Sequence, residues 1–241
     1  MDLVPHNWSA LITAIEEFHP KIYFFDIYCF ARRDRKTWHR GLRYLRIIDG
    51  LISLTKVKDD LYQQLLYLLG PQRDDPLPMS TVFVGPSGVG KSTIAHAWMK
   101  ILKIWNLVDN VRIKDGFKIS FGMTAAVLGM ETTAVLTDDE RIRWIYRMDA
   151  YSSIELRDMF LQQLRIGLWK VCGKLLSRWF NHPVLLTGQG NAVEQLVLKC
   201  KTGWAALHWQ SGVHPWQLDA AYVQSIISNC YARDEPPPYF I

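Results

Sequence analysis

Cysteine is scarce and scattered. Cys29, Cys172, Cys200 and Cys230 stand far apart, and no two form a C-x-x-C pair. Neither a zinc site nor a disulfide framework is expected, and four reduced thiols fit a cytosolic-type protein. Long apolar stretches are also missing: no run approaches the ~18–20 residues of a membrane span. The start, Met1-Asp2-Leu3-Val4-Pro5-His6, lacks the basic opening and apolar core of a secretory signal. A cytoplasmic or nuclear location is the expectation. Internal repeats and low-complexity tracts are absent as well. Acidic residues run short of basic ones, 23 against 28, for a net charge of +5. Such a balance favours polyanions, either nucleic acid or an acidic membrane surface, but is too small to name one.

What is present is ordinary globular material. The 241 residues are 49% hydrophobic and 21% charged, enough apolar mass for one principal domain with a prefix. Residues 1–70 read as helical. Positions 8–18 have helical periodicity, with Ser9 as an N-cap near the start. Positions 47–69 form an amphipathic helical region that Gly70-Pro71 ends. Between them, residues 31–46 carry seven Lys/Arg against one Asp, interleaved with Trp38 and Tyr44.

This basic stretch has three readings. Arg32, Arg33, Arg35, Lys36 and Arg40 can contact single-stranded nucleic acid while Trp38 or Tyr44 stacks on bases. The stretch can lie on an anionic membrane, with Phe24, Phe25, Ile27, Tyr28 and Phe30 as its apolar part. Or it is a solvated helix face whose aromatics belong to the core.

The polar, proline-rich residues 71–78 mark a boundary, dividing a helical N-terminal extension and linker (1–78) from a second domain (79–241). Residues 79–191 alternate β-rich and helical runs, which is α/β grammar: a parallel sheet flanked by helices. Strands are expected at 81–84, 117–121, 133–137 and 183–187, and helices at 92–105 and 154–164. The tail holds a helix at 218–230 and a proline-rich end.

The strand at 81–84 runs into Gly85-Pro86-Ser87-Gly88-Val89-Gly90-Lys91-Ser92-Thr93, which satisfies G-x-x-x-x-G-K-[ST] between a strand and a helix. The glycines allow backbone N–H groups to surround phosphates, and the next helix adds its positive end. Lys91 reaches the β- and γ-phosphates, and Ser92 is placed to ligate Mg²⁺. The ligand expected is a nucleoside triphosphate, ATP with Mg²⁺. An N-K-x-D base-reading motif, which a GTPase would need, is missing.

Hydrolysis also needs a carboxylate at a neighbouring strand end to hold the metal and polarise water. Asp138 and Asp139, which end the run AVLTDD, are preferred. Asp149, ending WIYRMD, competes, but that run would put Arg147 inside a strand, where burial without a partner is costly. A polar residue after 183–187, Asn191 or Gln189, can orient the water beside the γ-phosphate.

In GPSGVGKST, AVLTDD, Val171-Cys172-Gly173-Lys174 and PVLLTGQGN, residues 79–191 resemble the superfamily 3 helicases of small viruses. The order and spacing look like that family's A, B, B′ and C motifs. The resemblance implies an AAA+-like P-loop ATPase of the viral-replication type, assembled as a homo-oligomeric ring. It places Lys174 on a hairpin facing nucleic acid and Asn191 as the phosphate sensor, though the family usually reads TSN where this chain has TGQGN. The family's trans-acting arginine has no counterpart between residues 196 and 216. A second resemblance, in IDGLISLTKVKDDL and MDAYSS, is to AAA+ proteins related to red-type Rubisco activase, and it puts Asp149 at the catalytic glutamate and Met148 at the metal-binding aspartate. A small-molecule kinase with a lid built on Arg141, Arg143 or Arg147 stays open. So does an interaction module that binds nucleotide without hydrolysing it.

Overall fold

The computed structural model describes residues 7–17, 35–69, 80–107, 110–115, 124–130, 142–208 and 216–231. By compactness the chain divides into two units, Met1–Pro86 with Gly90–Asp149, and Ser87–Val89 with Ala150–Ile241. The expected boundary at 78/79 falls within residues 70–79, outside the described residues. The N-terminal helices group with the sheet. Among the described residues no helix is long and apolar enough to cross a membrane.

In the first unit, α1 (Trp8–Glu17) buries Trp8, Leu11, Ile12 and Ile15, one face at helical spacing. Its N-cap is Asn7 rather than Ser9: the Asn7 side chain accepts from the Ala10 N–H at 2.9 Å. Ser9 instead donates to Asp49. The region 47–69 is two helices, not one. α2 (Arg35–Asp49) stops before Gly50, and α3 (Thr55–Leu69) follows a turn in which Ser53 and Leu54 take left-handed φ values of 57° and 59°. Lys58 fixes that turn by donating to the carbonyls of Asp49, at 2.8 Å, and Leu51. A cation on terminal carbonyls closes a helix.

The sheet has the order β2-β3-β1-β4. β1 (Ser80–Val84) pairs in parallel with both β3 (Thr124–Met130) and β4 (Ile142–Arg147), and β2 (Asn110–Asp115) pairs in parallel with β3. The expected strands at 117–121 and 133–137 lie outside the described residues, while the strands at 110–115 and 124–130 are not among those expected. α4 (Lys91–Ile104) follows β1 and buries Ile94, Trp98 and Ile101. Trp38 of α2 meets Trp105, just past α4, at a centroid distance of 4.5 Å. Gly41 makes that approach feasible, because a Cβ there would lie 2.3 Å from the Trp105 ring nitrogen. Under β1, buried Gln64 donates to Thr81 and accepts from the Tyr146 hydroxyl at 2.8 Å, so this interior amide is satisfied.

In the second unit, α5 (Ser153–Ile166) starts with a reciprocal capping box between Ser152 and Glu155. β5 (Lys170–Cys172) pairs in parallel with β6 (Gln217–Asp219), and α7 (Ala220–Tyr231) follows directly. The expected strand at 183–187 is a helix: α6 runs Pro183–His208. Proline at the first helical position loses no bond there, and the Thr187 hydroxyl donates back to the Pro183 carbonyl at 2.9 Å. Leu185, Gln189, Val193, Leu196 and Cys200 are buried at three- and four-residue spacing. The short apolar run PVLL is ambiguous between strand and helix by composition, and the longer period decides it.

Candidate phosphate-binding site

β1 has a strand on either side, so its end is fixed from both. Val84 stands opposite Met130 and Arg147. The Met148 N–H donates to the Val84 carbonyl at 2.7 Å. The chain then passes Met148 so closely that a Cβ on Gly85 would lie 2.3 Å from the Met148 carbonyl oxygen. Gly90 caps α4 from the left-handed region at φ 91°, with no side chain on the cap and no acid in the first turn. No capping side chain therefore covers the N-terminal end of α4, which suits an anion. The Lys91 ammonium folds back to donate to the carbonyls of Gly85, at 2.7 Å, and Pro86, at 2.6 Å. Ser92 and Thr93 are exposed. Positive end, ammonium and hydroxyls form a donor set suited to a polyphosphate and its magnesium.

The loop tip, Ser87–Val89, belongs to the second unit. Gly88 has φ 76°, and its carbonyl accepts from the Gly190 N–H at 3.0 Å. The Val89 carbonyl accepts from the Tyr151 hydroxyl at 2.8 Å. Burial, reinforced by Glu155, pushes the Tyr151 phenol up to about 12, so it stays a donor. Gln189, buried and at the non-helical φ 51°, ψ −135°, kinks α6. Its side chain accepts from the Tyr151 N–H at 2.6 Å and donates to the Leu186 carbonyl. Strain of this kind persists only where surroundings hold it.

Asp138 and Asp139 lie outside the described residues. Arg147 is exposed at the end of β4, so the burial cost held against Asp149 does not arise; Asp149 is itself exposed, next to Met148. Asn191 sits exposed on α6, not at a strand end. Lys174 is exposed after Gly173, but β5 pairs with the distant β6, so it is not on a β5 hairpin. Trp38 is 0% exposed and cannot stack on a base. Lys36 and Arg40 are exposed on α2, the Arg35 side chain is not described, and Arg32 and Arg33 lie outside the described residues. Sequence reasoning missed Tyr151 and the clasp formed by Gly188, Gln189 and Gly190. The only signal was the Gly-Gln-Gly triplet, read there as a strand end.

No family profile matches the chain, and no curated protein matches it. Among solved structures, the chain is similar to a point mutant of Thermotoga maritima RuvB, with TM-score 0.53 and 16% identity, over 78% of this chain and 73% of that one. A weaker likeness, to Caenorhabditis elegans PCH-2, has TM-score 0.41 and 8% identity, over 79% and 72% of the two chains, and bears no weight. The likeness concerns the fold alone: an α/β arrangement in which helices accompany a parallel sheet.

Proposed function

We propose that the chain binds ATP with Mg²⁺ and hydrolyses it as a P-loop ATPase of the AAA+ type. The observation that carries this is the strand–loop–helix at residues 80–104, with a glycine-capped, acid-free helix start and the Lys91 ammonium folded over the loop entry. Lys91 would balance phosphate charge, and the Ser92 hydroxyl with one carboxylate, Asp138 or Asp149, would hold the metal. The metal, when bound, supplies further charge stabilisation. Asp139 is a candidate to polarise water if the acid pair at 138–139 is used. A homo-oligomeric ring acting on nucleic acid is the working assembly, in which exposed Lys36, Arg40 and Lys174 would be the cations that meet the polyanion.

Slow basal turnover is expected, because residues 196–216 contain no arginine. A trans-acting arginine is worth ~10³–10⁵ in rate in such enzymes. That same shortage supports a second reading, a switch that binds ATP without turning it over. Calorimetry on Lys91→Ala tests the shared premise: ATP affinity falls by at least ~100-fold in a folded variant. Unchanged affinity would remove the phosphate-loop reading. Steady-state turnover, with and without single-stranded nucleic acid, separates ATPase from switch.

A further inference from the structure

Beside the phosphate loop, a cavity of about 430 Å³ opens between α2 and α4. From α4 it is lined by Thr93, His96, Ala97 and Lys100, and from α2 by Arg43, Tyr44 and Ile47. The two helices run antiparallel. Gly41 lies against Trp105 beyond the far end of α4, so the last turns of α2 reach the loop end. There Ile47 shares the cavity with Ser92, a residue of the phosphate motif.

The wall is apolar and the rim is cationic. Ile47, 40% exposed, is among the large hydrophobic side chains left uncovered. Ala97 is buried and Tyr44 half-buried. The Arg43 guanidinium lies over the Tyr44 ring at 4.6 Å. Arg43 and Lys100 are exposed, and His96 Nδ1 is 2.8 Å from the Ser92 carbonyl oxygen. α4 contains no acidic residue, and the single acid of α2, Asp49, accepts from Ser9.

We propose that this cavity seats the nucleoside of the triphosphate whose phosphates the loop holds. The base packs on Tyr44 and Ile47, the ribose lies beside Thr93 and His96, and Arg43 and Lys100 flank them. This rests on the nucleotide reading above. Continuity is the main support. Ser92 and Thr93 belong both to the phosphate motif and to the cavity wall, so a ligand leaving the loop along α4 enters the cavity directly. The volume suits a small ligand. An aromatic ring with aliphatic neighbours matches the flat face of a base, while flanking cations match the charge of the nearest phosphate.

The test compares Mg-ATP with Mg-tripolyphosphate, which carries the phosphates and no nucleoside, by calorimetry on the full chain. The wild type binds ATP at least ~10-fold more tightly than tripolyphosphate. Tyr44→Ala removes most of that advantage and leaves tripolyphosphate affinity unchanged, whereas Tyr44→Phe keeps it. Ile47→Trp, which fills the cavity from an exposed position, also weakens ATP alone. Equal wild-type affinity for the two ligands overturns the proposal, as does a parallel loss for both in Tyr44→Ala. So does unchanged ATP binding with loss of a single-stranded oligonucleotide, which would make the groove a polynucleotide seat. Failure of tripolyphosphate to bind at all strikes instead at the phosphate-loop reading, and this proposal falls with it.

Discussion

Replacing Gly190 by alanine tests whether a residue about a hundred positions from the loop controls it. Gly190 opens the helical stretch that follows the kink at Gln189, and alanine gains at most about 1 kcal/mol over glycine there. Judged on its own helix, the variant should be more stable. Yet the new Cβ would lie 2.7 Å from the Gly88 carbonyl oxygen, closer than the 3.0 Å that Cβ atoms tolerate. Gly88 must retreat by several tenths of an ångström, which weakens the Gly190 N–H bond to its carbonyl. A hydrogen bond of this type contributes about 0.5–1.5 kcal/mol, so the helix gain and the lost bond roughly offset, and the thermal midpoint changes little. Phosphate binding has no such offset. The Gly88 peptide moves off its position, and misplacement of this size costs ATP affinity about 10-fold, or about 1.4 kcal/mol. Calorimetry beside a thermal melt reads both quantities. Wild-type affinity in a normally melting variant would show that the clasp does not set the loop.

Three other outcomes are expected. Gly41→Ala lowers the urea midpoint despite the helix gain, because its Cβ would overlap the buried Trp105 ring; overpacking of this kind costs about 1–3 kcal/mol. A raised midpoint would mean the α2–α4 contact yields easily. Asp149→Asn cuts ATP turnover by about 100-fold with binding retained if this acid serves the reaction, and the paired Asp138→Asn assay decides between the two carboxylates. Stability falls between pH 10 and 12. Burial raises the Tyr62 and Tyr151 phenols to about 12 and Tyr146 further, so the folded state favours the neutral form. That contribution is complete below pH 10 and is lost as pH climbs through 12. A flat urea midpoint across this window, or an unaltered slope in Tyr151→Phe, would count against it.

The strand–loop–helix around the phosphate motif was legible because the glycine, lysine and hydroxyl spacing that marks it falls within nine residues. α4, α5 and β1 were legible by period and flanking turns. The break at Gly50 was harder to see, since its cause is a cation, Lys58, reaching back to carbonyls in the preceding turn. Pro183-Val184-Leu185-Leu186-Thr187 misled for a different reason. Five residues cannot show a helical period, and the positions that reveal it, Val193, Leu196 and Cys200, come later. Trp38 looked like a stacking platform because its neighbours are charged. It is buried because Gly41, one turn on, lets Trp105 come close, a fact of three dimensions.

The crowding of indoles has an optical consequence. The Trp38 and Trp105 rings, 4.5 Å apart and tilted by 52°, are near enough for their transitions to couple, which yields a paired band in circular dichroism. That band requires α2 to stay docked on α4. The second unit has its own pair, Trp169 and Trp216, at 5.5 Å and 77°. Removing one indole from either pair would silence one signal and leave the other. The melting of each unit can then be followed by light alone, with no label added.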